Sequence, residues 1–230
     1  MLFLFDIDGT LVRRMPPAHR QAICDAARDV FEVELGTDGL GQTAGMTDTA
    51  IARRVLLAAG ISEMEIANGL PAFFAAASDA YERHVPADLR PYLTPHARES
   101  LEWLSEAGAA LGLVTGNVER IAWTKLHAAG LDTFFGCGAF GDEAEAREEL
   151  PPLAVARAHA TFRRDFSLAD TYVVGDTPAD IACGAASGLR TIAVATGPIH
   201  DLDTLRACGP DFAFEDLREL VTLEIQREVG

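Results

Sequence analysis

The sequence predicts an α/β fold, a doubly wound parallel sheet with an all-helical segment inserted after the first strand. Three observations carry that prediction. Leu2-Phe3-Leu4-Phe5 is an apolar run without alternation, as expected of a strand covered on both faces. Between Ala18 and Val85 the apolar spacing is helical throughout. From Ala97 onward helical and extended stretches alternate, and each extended stretch runs out into Gly beside Thr or Asp, the pattern of βαβ units.

Taken in order, the first strand ends at Asp6 and Asp8, and Gly9-Thr10 turns the chain away. Arg13-Arg14-Met15-Pro16-Pro17 is rich in helix breakers and reads as a crossing between two domains. Helices are expected over 18–33, 48–59 and 63–85, with Pro71 breaking or kinking the third. Asp48 is a reasonable N-cap for the second. Pro86, Pro91 and Pro95 mark the return crossing. The expected division is therefore 1–13 and 91–230 for the α/β domain and 14–90 for the helical one. Helices follow at 97–107, 118–129, 153–161 and 179–187. They alternate with strands at 109–114, 134–140, 171–174 and 190–195, giving a Rossmann-like sheet whose ligand edge is the strands' carboxyl ends.

Composition removes several classes of function. The chain has 230 residues, 49% of them hydrophobic and 23% charged, which is ordinary for a globular protein with a full core. A net charge of −16 argues against nucleic acid, which needs a basic footprint. It also requires that an anionic substrate be held by a local positive device such as a metal ion. No run of about 18 apolar residues is present to span a membrane. The apolar N-terminal run lacks a basic lead and is cut by Asp6, so a cytoplasmic protein is expected. Cys24, Cys137, Cys183 and Cys208 are far apart and are expected to be buried free thiols. Lys125 is the only lysine.

Side chains alternate along a strand, so Asp6 and Asp8 leave it on one side while Gly9 lets the backbone pass close to a ligand. Two carboxylates then converge at the strand's carboxyl end. A turn cap alone would explain a solitary D-x-D. Here further strands also end in polar groups: Val114-Thr115-Gly116-Asn117 and Gly175-Asp176-Thr177-Pro178-Ala179-Asp180. A third carboxylate, Asp176, makes an oxygen-rich site suited to Mg²⁺. Phosphoryl transfer needs a nucleophile, a proton donor for the leaving oxygen and positive charge on the transferred group. Asp6 can attack as a carboxylate and Asp8 can act as acid and then base, for which a raised pKa is expected from the neighbouring carboxylates. Thr115 can donate its hydroxyl to a phosphoryl oxygen, with the backbone amides that follow it at Gly116 and Asn117.

The residues D-I-D-G-T at 6 to 10, V-T-G-N at 114 to 117 and G-D-T-P-A-D at 175 to 180 resemble the haloacid dehalogenase-like hydrolase superfamily, in particular its phosphoglycolate-phosphatase-like members. The resemblance covers the whole chain. It implies that the helical segment is a cap and that the protein is a phosphatase acting on a small phosphorylated metabolite through an aspartyl phosphate. It assigns the Mg²⁺ ligands as the Asp6 carboxylate, the Asp8 carbonyl and Asp176, with Asp180 behind them. The cap loop Gly45-Met46-Thr47-Asp48 resembles the family's substrate-facing loop, so Gly45, Thr47 and Asp48 become candidates for substrate selection, with Arg13, Arg14 and Arg20 as weaker ones.

The sequence departs from the family where a lysine usually precedes a proline-containing helix start. That segment here is Arg147-Glu148-Glu149-Leu150-Pro151-Pro152, so Arg147 is expected to supply the cation. Lys125 is expected to stand too far back, because eight helical residues carry it about 12 Å from the strand end. A dehalogenase of this fold would not need Asp8. A phosphonate-cleaving relative would need a cap lysine, and residues 14 to 90 have none. A phosphosugar mutase shares Asp6 and Asp8 and stays open as an alternative, although the G-x-S-R cap loop associated with it is absent. A catalytically silent phosphate-binding or scaffold protein is the alternative from another class.

Overall fold

The computed structural model describes residues 1–13 and 18–223. Arg14, Met15, Pro16 and Pro17 of the expected first crossing lie outside the described residues.

Six parallel strands form one sheet in the order β3-β2-β1-β4-β5-β6. They are β1 (Leu2–Phe5), β2 (Ala110–Val114), β3 (Cys137–Ala139), β4 (Thr171–Gly175), β5 (Arg190–Val194) and β6 (Phe212–Phe214). Strand β1 lies between β2 and β4, with Phe5 opposite Leu113 on one side and Val174 on the other. The chain winds outward to β3, returns to β4 beside β1, and winds outward again. The order thus reverses at β1, and the crevice at its carboxyl end is where such sheets bind ligands.

Among the described residues the helices are α1 (Ala18–Phe31), α2 (Asp48–Ala58), α3 (Glu63–His84), α4 (Ala97–Glu106), α5 (Glu119–Ala129), α6 (Leu150–Phe162), α7 (Pro178–Ala186) and α8 (Leu202–Ala207). Both faces of β1 are covered, which explains its unbroken apolar run. Phe3 and Phe5 pack with Leu101 of α4 and Leu126 of α5, while Leu2 and Leu4 pack on the opposite face with Ala154 of α6 and Cys183 of α7. All four β1 side chains are buried, contributing about 1.5–3 kcal/mol each. A separate apolar cluster joins α1, α2 and α3 and takes in Val118 and Ile121 from the start of α5.

Differences from the sequence reading have local causes. Helix α1 stops at Phe31 because Glu32 adopts φ +57°. Helix α3 is continuous through Pro71. The third strand is three residues, since Asp132–Phe134 is a 3-10 turn. Helix α6 starts at Leu150, placing both prolines in its first turn, where their missing N–H groups cost nothing. Helix α8 and strand β6 were not expected from the pattern. Cys24, Cys137 and Cys183 are buried free thiols, whereas Cys208 is exposed. Among the described residues no helix is long and apolar enough to cross a membrane.

Candidate active site

The carboxyl ends of β1, β2 and β4 deliver the polar side chains. The Asp6 amide still donates to Val174 O at 2.9 Å, so Asp6 continues the β1 ladder, and its side chain is buried. Gly9 then turns the chain with φ +94°, a conformation that disfavours a side chain. A Cβ on Gly9 would also stand 2.2 Å from Asp176 Oδ2, and one on Gly197 would stand 1.8 Å from the same oxygen. Two backbone segments therefore close around Asp176, which Thr10 contacts through a 3.3 Å hydrogen bond from its hydroxyl to Oδ1.

Asp6, Asp176 and Asp180 are buried, and each places a carboxylate oxygen within 4.8 Å of the others. Asp180 is heavily engaged: it closes the capping box of α7 by accepting from the Thr177 amide and hydroxyl through Oδ2, and it accepts from Arg147 through Oδ1. Arg147 is buried and its Nη2 also donates to Asp6 Oδ1 at 3.1 Å. The Arg147 Nε is buried without a hydrogen-bond partner among the described residues.

Asp8 occupies a different environment. Its Oδ2 accepts from Lys125 Nζ at 2.5 Å and from Asn117 Nδ2 at 2.8 Å. Lys125 Nζ donates as well to Asn117 Oδ1 at 2.7 Å, and Asn117 Nδ2 donates to Thr115 Oγ1 at 2.7 Å. Thr115 is thus an acceptor in this network and keeps its own hydroxyl proton for another partner.

These partners displace the two carboxylates in opposite directions. Burial pushes Asp6 up to about 6, and Asp180 and Asp8 add to the rise while Arg147 opposes it. Burial also acts upward on Asp8, but Lys125, His19 and Asn117 outweigh it and hold the group at about 2. The expectation of a raised Asp8 is therefore corrected. Its nearest partner is an ammonium, not a carboxylate.

The placement of Lys125 is a second correction. It stands six residues into α5, roughly 9 Å along the axis from Glu119, but helical side chains tilt toward the N-terminus and a lysine stem spans most of the remaining distance. The signal was present in the sequence: Lys125 interrupts the buried face formed by Ile121, Ala122, Leu126 and Ala129. A lone lysine on a core-facing stripe needs a buried acidic partner.

A cavity of about 410 Å³ opens over these groups. Asp6, Asp8, Gly116, Asn117 and Arg147 line it together with residues of the helical segment, among them His19, Arg20, Gly45, Met46 and Asp48. Thr115 and Thr47 do not line it. The Thr47 hydroxyl is used twice, donating to Glu145 O at 2.8 Å and accepting from the Ala50 amide as the N-cap of α2. Arg20 donates to Thr37 O, Gly41 O and Thr43 Oγ1, which fastens the loop ahead of α2. Arg13 is exposed and does not line the cavity. His19, which no motif marked, lies 3.0 Å from Asp48 Oδ2 through Nε2.

A sheet that reverses at β1, with three buried carboxylates and two basic side chains at the reversal, defines a hydrolase-type α/β site for an anionic group. The model of the haloacid dehalogenase-like hydrolases matches residues 1–188, and the chain belongs to that family. A phosphoglycolate phosphatase of Pseudomonas fluorescens Pf-5 is 26% identical over 223 residues, covering 96% of this chain and 78% of the relative. One from Vibrio parahaemolyticus is 27% identical, covering 96% and 94%. Among solved structures, a predicted phosphoglycolate phosphatase from Haemophilus somnus superposes with a TM-score of 0.68 at 21% identity, covering 96% of both chains. A proposed beta-phosphoglucomutase from Bacteroides vulgatus gives 0.67 at 23% identity, covering 99% of this chain and 90% of the other. These two structures establish the shared fold.

Proposed function

We propose that the protein, an enzyme of this family and a phosphatase, hydrolyses a small phosphate monoester with Mg²⁺ through an aspartyl phosphate on Asp6. The observation that carries the reading is the separation of two carboxylates, two residues apart, into unlike surroundings: Asp6 among Arg147, Asp176 and Asp180, and Asp8 between Lys125 and Asn117. One is placed to attack and the other to move a proton. Residues 14–90 are read as a cap over a core of 1–13 and 91–230, consistent with the separate apolar cluster of α1 to α3.

The donor set fits a hard divalent cation, because it is made of carboxylate oxygens and Gly9 and Gly197 leave Asp176 room that a Cβ would fill. Asp6 and Asp176, with the Asp8 carbonyl that the family resemblance implies, would hold Mg²⁺. Asp180 is left to fix Arg147. The bound ion supplies positive charge to a transferring phosphoryl oxygen.

The remaining work falls to side chains of this chain. Arg147 orients the phosphoryl group and offsets its charge, using donors beyond the Nη2 already bound to Asp6. Gly116 and Asn117 line the same cavity. Asp6 attacks phosphorus. Asp8 carries the proton to the leaving oxygen, and an incoming phosphate dianion favours its protonation by raising its pKa. Ionised again and held by Lys125 and Asn117, it is then set to take a proton from the hydrolytic water.

The curated relatives make phosphoglycolate the first substrate to test, beside a generic aryl phosphate and a sugar phosphate whose isomerisation would reveal a mutase. Asp6→Asn is expected to abolish turnover while the protein stays folded. Retention of the wild-type rate by that variant overturns the covalent reading.

A further inference from the structure

Helix α5 begins without a cap of its own. Its N-cap residue is Val118, whose side chain makes no capping hydrogen bond. Valine cannot accept from the first amides, and such an end normally lacks about one hydrogen bond's worth of stability. The missing acceptors come from two distant segments. Asp142 Oδ1 accepts from the Glu119 amide at 2.9 Å, and Asp48 Oδ2 accepts from the Val118 amide at 2.9 Å. Asp48 belongs to the first turn of α2, on the helical segment.

Around Asp48 the two parts of the molecule are joined by backbone. The Asp48 amide donates to Gly116 O at 2.7 Å, and the Thr49 amide and hydroxyl donate to Gly141 O at 3.1 and 2.6 Å. The approach is close enough that a Cβ on Gly116 would stand 2.1 Å from Met46 O. Gly116 and Val118 flank Asn117, the residue that fixes Asp8 and Lys125. Docking of α2 and placement of Asn117 thus share the same three residues.

We infer that Asp48 is a positioning residue: its carboxylate caps α5 from the helical segment and so ties docking of that segment to the Asn117–Lys125–Asp8 network. The role rests on the phosphatase reading for its effect on catalysis, but not for the coupling itself. Asp48 lines the cavity, so contact with substrate is the competing reading. The bond to Val118 favours the first. Loss of a hydrogen bond to a charged group in a buried place shifts a conformational equilibrium by roughly tenfold to a hundredfold.

The test compares wild type, Asp48→Ala and Asp48→Asn as full chains, by amide hydrogen exchange and by steady-state hydrolysis of an aryl phosphate with Mg²⁺. In Asp48→Ala the amides of Thr49 and Glu119, whose own acceptors are untouched, are expected to exchange about tenfold to a hundredfold faster. The kcat is expected to fall at least tenfold with KM within about threefold, because core groups hold the phosphoryl group whether or not α2 is docked. Asp48→Asn keeps an acceptor oxygen for Val118 and is expected to recover most of both, and it carries the test if the alanine variant does not fold. Unchanged exchange at Thr49 and Glu119 overturns the inference, as does a rise in KM with kcat intact. If wild type hydrolyses no phosphate ester, the phosphatase reading fails while the exchange measurement still decides the coupling.

Discussion

Lys125→Met is the most informative single change, because it removes one ammonium and leaves the stem volume nearly intact. In the folded protein Lys125 Nζ makes hydrogen bonds to Asp8 at 2.5 Å and to Asn117 at 2.7 Å. Its side chain is only 4% exposed, so no water replaces the lost donor. Removing one partner of a buried ion pair costs about 3–5 kcal/mol. The Asp8 side chain, however, is 27% exposed toward the cavity and is partly solvated, so about 2–3 kcal/mol is the expected loss of stability. At roughly 2–4 °C per kcal/mol for a chain of this size, the thermal midpoint should drop by about 5–10 °C. Catalysis should suffer more. Asn117 loses its anchor at Oδ1, Asp8 loses the contact that fixes Oδ2, and the misplacement of a proton-transfer group lowers kcat by about two to three orders of magnitude. Thermal denaturation and aryl phosphate turnover with Mg²⁺ measure the two effects. A variant with unchanged midpoint and unchanged kcat refutes the network, and would restore the expectation from helix rise alone that Lys125 is a bystander.

Arg147→Ala should lower turnover by about two to three orders of magnitude, since a charge aimed at the transferring group is lost; Arg147→Lys should recover part of it as a point charge. Equal, small losses in Arg147→Ala and Lys125→Met would place the required cation elsewhere. A chelator should abolish activity and added Mg²⁺ restore it, with Asp176→Ala shifting the Mg²⁺ titration to higher concentration; full activity in chelator counts against the carboxylate cluster as a metal site. Away from the site, burial acts upward on Asp25, but the hydrogen bonds with His84 and Gln21 and the charge of Arg28 hold its pKa below the ordinary carboxylate value. Its folded pKa is depressed, so its stabilisation is present above the unfolded pKa near 4 and is lost as pH falls through the folded value. Asp25→Asn should therefore narrow the gap in thermal midpoint between pH 7 and pH 3, and an unchanged gap would refute the assignment.

Much of the fold was legible because its signals are local. An unbroken apolar run marked β1, and Gly next to Thr or Asp marked where β2 and β4 end. The same strand ends place Asp6, Thr115 and Asp176 at one sheet edge. What was not legible depends on side-chain reach and on short elements. Phe212–Phe214 is three residues, too few for a pattern to emerge beside a six-residue helix. Arg147 and Lys125 sit behind different loops, and spacing along the chain does not reveal which carboxylate each will meet. Thr47 and Asp48 read equally well as cap residues or substrate residues until the structure shows their oxygens turned to Ala50, Glu145, Val118 and His19.

Burial acts upward on both Asp6 and Asp8, and their shifts end in opposite directions because the cations of the site are divided unequally between them. Arg147 is shared between Asp6 and Asp180, so one positive charge stands against two buried carboxylates and Asp6 remains pushed up to about 6. Lys125 has one carboxylate partner and an amide oxygen, so its charge is concentrated on Asp8, which is held at about 2. Arg147 therefore offsets only one of the two carboxylates it contacts. A divalent cation held by Asp6 and Asp176 would add positive charge beside the nucleophile and favour its ionised form, whereas Lys125 already stands against Asp8. The single lysine and the arginine are thus not interchangeable in position. Arg147 meets Asp6 and Asp180 through one nitrogen, Nη2, and keeps further donors that a lysine would lack, whereas an arginine at 125 would have to fit five donors where the structure offers Asp8 Oδ2 and Asn117 Oδ1.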